Sequence, residues 1–91
     1  MYHITNYSKK QADKLHVKIK PSNKKTKKID VIKNDNIVAS IGNINYKDYP
    51  NYIKENGLKY AKKRRELYKI RHKNDRNIKG SPGYYADKIL W

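Results

Sequence analysis

The sequence predicts an α+β fold: a small three-stranded antiparallel sheet packed by one long basic helix, with short flanking helices. Apolar and polar residues alternate between Leu15 and Ile41, which is typical of half-buried strands. Asn34-Asp35 interrupts the alternation with two residues that tolerate positive φ, so we expect a tight hairpin turn there. The segment Lys59 to Lys73 contains eight Lys and Arg and one acid, spaced as on an amphipathic helix.

The N-terminal segment shows no such periodicity. Residues 1–13 are polar and basic, and we expect them to form a mobile arm. Residues 14–91 are predicted to form a single basic α+β domain. Its first strand carries Leu15, Val17 and Ile19 on one face and ends at Pro21.

The second and third strands flank the Asn34-Asp35 turn. Pairing Lys33 with Asn36 sets Val31 opposite Val38. Because this cross-strand pair is apolar, it supports the register. We therefore expect Val31 and Val38 to lie on the same face of the sheet.

Helices are expected in the second half of the chain. Asp48 is a suitable N-cap for a short helix that Asn56-Gly57 ends. The long basic helix should follow over residues 58–72. Ser81 can cap a last short helix over residues 84–90, whose apolar end should pack on the domain or on a partner.

The charge of the chain narrows the range of functions. The formal net charge is +15, divided as +7 over residues 1–45 and +8 over residues 46–91, so the charge is not confined to a tail. Eight acids cannot neutralise twenty-three Lys and Arg from within. Since a polyanion would relieve this repulsion, the balance indicates a nucleic-acid-binding protein.

The candidate contact residues belong to two basic clusters, one on the long helix and one on the loop after the first strand. On the helix, arginine shares its face with tyrosine whereas lysine occupies the outer face. We expect largely sequence-independent phosphate contacts, because lysines follow a backbone without reading bases. The predicted nucleic-acid-binding residues are Lys62, Lys63, Arg64, Arg65, Arg71, Lys24, Lys25, Lys27 and Lys28.

Other functions have little support in the sequence. The three histidines are dispersed, there is no cysteine, and no acid spacing forms a metal site, so we expect no enzyme activity, no metal, no cofactor and no small-molecule substrate. The chain also has no apolar run of about 18 residues and no signal-peptide core. We therefore expect no membrane association and no secretion.

Two resemblances extend this interpretation. The motifs YAKKRRELYKIRHKNDR and KGSPGYYADKILW, with the segment from Ala39 to Tyr49, resemble small basic proteins of unknown function encoded by large double-stranded DNA viruses of algae and protists. That resemblance implies a place in the virion or inside the infected cell, in the viral factory, cytoplasm or nucleus, and it favours DNA over RNA as the partner. The order of three strands and a helix is similar to plant-type DNA-binding domains, although the arginines expected on reading strands are absent.

The alternative is a virion structural protein, a minor capsid or cementing component that binds acidic protein partners. In this interpretation the aromatic and apolar C-terminal end inserts into a neighbouring protein. The residues predicted for partner docking are Tyr84, Tyr85, Ile89, Leu90 and Trp91.

Overall fold

The computed structural model describes residues 2–91 and shows an α+β fold, with three antiparallel strands in one sheet and four helices. In chain order the elements are α1 (Asn6–Lys14), β1 (Lys18–Pro21), β2 (Lys27–Lys33), β3 (Asn36–Asn43), α2 (Tyr49–Asn56), α3 (Leu58–Arg71) and α4 (Pro82–Ile89). The sheet order is β1-β2-β3. The predicted fold class, an α+β domain with a three-stranded antiparallel sheet, one long helix and short flanking helices, is confirmed. Within residues 2–91, no helix has the length and apolar character needed to cross a bilayer.

The N-terminal segment is a helix packed on the domain. The prediction of a mobile arm over residues 1–13 is therefore wrong for the residues that the structure describes, and Met1 lies outside them. The inner side of α1 consists of Ser8 and Ala12, which are 0% and 2% exposed. The Ser8 hydroxyl donates a hydrogen bond to the Ile89 carbonyl at 2.9 Å. Because these contact residues are small, the helix lacks the apolar stripe by which sequence reasoning detects a packed helix.

The end of α1 explains why β1 begins later than predicted. His16 has a φ of 57°, in the left-handed region, directly after the C-cap residue Leu15. The Val17 N–H reaches the Ala12 carbonyl and the His16 N–H reaches the Asp13 carbonyl, each at 3.1 Å. This pair of bonds is the Schellman arrangement that ends helices. The strand therefore starts at Lys18.

The hairpin between β2 and β3 turns where the sequence indicated. Asn34 and Asp35 both have positive φ, 52° and 64°. Lys33 pairs with Asn36 across the turn, as predicted. The two-residue turn thus fixes the start of the register.

A β-bulge changes the register beyond the turn. Ile32 pairs with Ile37, but Val31 pairs with Ala39, so Val38 is the extra residue on β3. The predicted Val31–Val38 pair is therefore wrong. Val38 is 41% exposed, whereas Ala39 lies in the core. After the bulge, alternate residues of β3 again point into the core.

The hydrophobic core lies between one face of the sheet and helices α1 and α4. Its buried members are Ala12, Val17, Ile29, Val31, Ala39, Ile41, Tyr85, Ile89 and Leu90. Complete burial of a side chain such as Ile29 or Ile41 stabilises the fold by about 1.5–3 kcal/mol. Helix α4 packs on β3 and on α1. The basic helix α3, the longest, has its main contacts with α2 rather than with the sheet.

The C-terminal end completes the core. Tyr85, Ile89 and Leu90 are 6%, 0% and 1% exposed, so the prediction that they dock a partner is wrong. The reason is that the small domain needs these side chains to cover its own sheet. Tyr84 and Trp91 pack against the same core and are half-buried.

Candidate nucleic-acid interface

One of the predicted phosphate-binding lysines is part of the protein interior. Lys28 is 4% exposed and its Nζ lies 3.3 Å from Oδ2 of Asp48, which is 1% exposed. Lys28 also donates to the Tyr46 carbonyl. The same Asp48 oxygen accepts a hydrogen bond from the Tyr2 hydroxyl at 2.6 Å. The prediction for Lys28 is therefore wrong, since its charge is used inside the fold.

Asp48 also caps helix α2. Its other carboxylate oxygen accepts the Asn51 N–H at 3.3 Å and so caps α2, as predicted. The bond from Tyr2 also joins the first described residue to the start of α2. Burial together with the Asp48 carboxylate raises the pKa of Tyr2 well above its ordinary value.

A second buried acid organises the basic residues around α4. Asp87, 1% exposed, lies 2.9 Å from Lys69 Nζ, 3.3 Å from Lys88 Nζ and 3.7 Å from Arg76 Nη1. Helix α3, the 72–81 connection and α4 each supply one of these cations. One carboxylate thus holds three segments together.

Even so, few of the cations are paired. Within residues 2–91, five of the 23 Lys and Arg side chains form ion pairs with acids, namely Lys28, Lys47, Lys69, Arg76 and Lys88. The other eighteen have no acidic partner among the described residues. An accessible cationic surface therefore remains.

Helix α3 has a buried side and an exposed side. Ala61 and Tyr68 form its buried face and are 0% and 7% exposed. Lys62 and Lys63 lie on the exposed part of the helix, as the sequence predicted. Helix α3 begins after Gly57, whose φ of 90° allows the turn between α2 and α3.

The two consecutive arginines of α3 are half-buried against tyrosine rings. The Arg65 guanidinium carbon lies 4.0 Å from the centre of the Tyr49 ring, and Arg64 lies 5.6 Å from that of Tyr52. Such cation–π contacts hold the side chains in place. Arg64 Nε is buried and has no hydrogen-bond partner among residues 2–91. Arg65 therefore helps to attach α3 to α2, whereas Arg64 also borders open space.

That open space is a cleft of about 590 Å³ between β3, the 44–48 loop and α3, here called the α3 cleft. The basic residues on its lining are Lys27, Lys28, Lys47, Arg64 and Arg71, and the acids are Asp48 and Asp75. Asp48 pairs with Lys28, and Asp75 lies 3.5 Å from His72 Nδ1. The lining thus carries a net formal charge of +3 with a neutral histidine. This volume is in the range of about 300–1,000 Å³ that is usual for small-molecule sites.

Aromatic rings form one wall of the α3 cleft. Trp91 stacks on Tyr68 with ring centres 4.5 Å apart and planes 10° apart. The ring centre of His72 lies 4.4 Å from that of Tyr68, and the ring centre of Tyr52 lies 6.1 Å from that of Trp91. Burial, with smaller contributions from Asp87 and Asp75, raises the pKa of Tyr68 to about 12. Tyr68 is therefore an uncharged member of this wall at neutral pH.

The predicted contact residues fall into separate groups. Arg64, Arg71 and Lys27 line the α3 cleft, and Lys62 and Lys63 do not. Lys24 and Lys25 are exposed in the loop before β2.

Three other residues of the cleft were not among the predicted nucleic-acid-binding residues. Tyr46 is 70% exposed on its rim, beside Lys47, and Trp91 lies inside it. The turn-rich segment before Asp48 could have indicated that Tyr46 stands outside the core.

Comparison of this chain with protein-family models, with curated proteins and with solved structures finds no match in any of the three.

Proposed function

We propose that this protein binds nucleic acid, mainly through phosphates and with little sequence preference. The observation that carries the proposal is the set of eighteen Lys and Arg without acidic partners within residues 2–91. A polyanion supplies the missing negative charge, and the release of its counterions drives association. DNA is favoured over RNA, and a virion or genome-associated role is proposed, both from the viral resemblance.

The exposed lysines support sequence-independent contact. Lys62 and Lys63 on α3, and Lys24, Lys25 and Lys27 beside β2, are flexible point charges on the surface. Such groups fix the position of a backbone and carry no base information. Arg71 is exposed at the end of α3 and can hold a phosphate with two parallel hydrogen bonds.

A salt titration tests this proposal. The logarithm of the affinity for a duplex should fall linearly with the logarithm of salt concentration, with a slope near −0.9 for each phosphate neutralised. The double variant Lys62→Ala/Lys63→Ala should weaken binding to all sequences equally and reduce the slope by about one to two. The matched control is Lys9→Ala/Lys10→Ala, which removes the same charge from an exposed pair on α1.

One result would contradict the proposal, and another would contradict the assignment of the contacts to α3. An affinity that does not respond to salt would exclude phosphate contact. Equal weakening by the α1 pair and the α3 pair would attribute binding to net charge alone and not to the α3 surface.

The alternative, a virion structural protein, keeps only part of its basis. Its basic surface could bind acidic proteins, but Tyr85, Ile89 and Leu90 are buried in the core of the domain itself. Association with capsid shells that resists both nuclease and high salt would favour it. Association with the genome that high salt removes would favour nucleic-acid binding.

A further inference from the structure

We infer that the α3 cleft is a site for an unpaired nucleotide, in which a base stacks on aromatic side chains and its phosphate meets Arg71 and Lys27. This inference rests on the proposed function and names the form of nucleic acid that the site takes: a single strand or an unpaired end. It uses a cleft that the phosphate contacts on the outer face of α3 do not require.

The aromatic residues of the cleft carry the first part of the inference. Tyr46 is 70% exposed at the rim and its ring has no aromatic partner among residues 2–91. A large exposed tyrosine gives up apolar contact with the protein, and a flat ligand can supply that contact. Trp91, half-buried in the same cleft, is held in place by its stacking on Tyr68. One exposed ring without an aromatic partner and one stacked ring thus border the same space.

The cations of the cleft carry the second part. Lys27 and Arg71 are exposed, line the cleft and have no acidic partner among the described residues. Arg64 lines the cleft as well, and its buried Nε lacks a hydrogen-bond partner within residues 2–91. Of the two acids on the lining, Asp48 is paired with Lys28, and Asp75, which lies 3.5 Å from His72 Nδ1, is outnumbered by the cations. The charge presented to a ligand is therefore positive, as a phosphate requires.

The combination of these groups selects an unpaired nucleotide over a duplex. In a double helix each base is stacked between its neighbours, so aromatic side chains reach base faces only where the strand is single or frayed. A duplex would use the lysines outside the cleft and would not contact the ring faces of Tyr46 and Trp91. The cleft volume of about 590 Å³ is in the range for a small ligand and leaves room for a base with its sugar and phosphate.

The experiment uses the single tryptophan of the chain, Trp91, as a reporter inside the site. The full-length protein is titrated with oligo(dT), with a hairpin duplex of the same number of phosphates and with the mononucleotide dTMP. Tryptophan fluorescence reports occupancy of the cleft, and anisotropy of labelled oligonucleotides reports total binding. We expect oligo(dT) to quench Trp91 and to bind more tightly than the duplex at equal salt.

Variants assign the effect to the cleft. Tyr46→Ala should weaken oligo(dT) binding about fivefold or more, the lower end of what loss of one base–aromatic stack produces, and should leave duplex affinity unchanged. Tyr60→Ala is the matched control, since Tyr60 is a 44% exposed tyrosine of α3 that does not line the cleft. Both residues are exposed, so neither change should unfold the protein.

The outcomes separate this inference from the proposed function. Salt-dependent binding of duplex and oligo(dT) with equal affinity, an unchanged Trp91 signal and no effect of Tyr46→Ala would overturn the cleft site and leave the proposed function intact. Absence of binding to any oligonucleotide would overturn both. Quenching by dTMP as strong as by oligo(dT) would assign the cleft to a free nucleotide and overturn the assignment to a strand.

Discussion

Replacement of Lys28 by methionine distinguishes a structural lysine from a binding lysine. The variant keeps a long unbranched side chain but leaves the Asp48 carboxylate, 1% exposed, without its cation. Removing one partner of a buried ion pair costs about 3–5 kcal/mol. A domain of 91 residues has a free energy of unfolding of about 5–14 kcal/mol, so the loss is a large fraction of the total. At about 4–8 °C for each kcal/mol, Tm should fall by about 12 °C or more.

The neighbouring Lys27→Met provides the control, since Lys27 is exposed and lines the α3 cleft. It should leave Tm nearly unchanged and weaken nucleic-acid binding. Thermal unfolding by circular dichroism measures stability, and binding is measured well below the midpoint. Adding Asp48→Asn to Lys28→Met should recover part of the loss, because asparagine keeps the N-cap and removes the unpaired charge. The reasoning is refuted if Lys28→Met lowers Tm by less than about 4 °C, which corresponds to about 1 kcal/mol, while weakening binding more than Lys27→Met.

Three further predictions test other parts of the fold. Gly42→Ala should destabilise the protein by about 2–4 kcal/mol in denaturant unfolding, because φ is +79° and a Cβ would lie 2.8 Å from Leu90 Cδ1; an unchanged midpoint would contradict the tight approach. Ala12→Gln should cost about 2–4 kcal/mol whereas Lys10→Gln on the exposed side of α1 should cost almost nothing, and equal effects would mean that α1 is not packed. Burial raises the pKa of Tyr68 to about 12, so the folded state keeps a proton that the unfolded chain loses near pH 10. The free energy of unfolding should therefore fall between pH 10 and 12 by at most about 3 kcal/mol. The free energy of unfolding of Tyr68→Phe should fall less over that interval.

Local chemistry predicted the parts of the fold that depend on neighbouring residues. The turn at Asn34-Asp35, the Asp48 and Ser81 caps and the end of α2 at Gly57 follow from residues that differ by a few positions in the chain. The basic helix was predicted at 58–72 and ends one residue earlier. These features need no knowledge of tertiary contacts.

The errors arose where contacts between distant residues decide the structure. Lys28 resembles any surface lysine on an alternating strand, and only its approach to Asp48, twenty positions later, makes it buried. Helix α1 was missed because its packed side is Ser8 and Ala12, held by α4 from the other end of the chain. The β-bulge at Val38 was missed because an apolar pair with Val31 satisfied the pattern equally well.

The same argument applies to the candidate site. The basic residues of α3 were evident from the sequence, but their division between the cleft and the outer face was not. Arg64 and Arg65 are adjacent in the chain, yet one borders the cleft and the other lies on Tyr49. That division depends on how α3 lies against α2, which the helical period alone does not determine.

The placement of the acids connects the stability of the domain to its proposed role. Asp30, Asp48 and Asp87 are all at most 4% exposed. Burial alone would raise the pKa of Asp30, but hydrogen bonds from Ser22 and Ser40, with the nearby Lys20 and Lys24, lower it overall. Asp48 and Asp87 are held by buried or adjacent cations.

Because these three acids are buried while most Lys and Arg are not, cations outnumber acids at the surface by more than the composition alone implies. Mutual repulsion among those cations opposes folding, and it weakens when a polyanion binds. Nucleic acid at about 100 times its Kd should therefore stabilise the folded state by at most about 2.7 kcal/mol, and by less to the extent that the unfolded chain, with the same net charge, binds it too. With three buried acids and an excess of exposed cations, the domain should be most stable when the proposed ligand is bound.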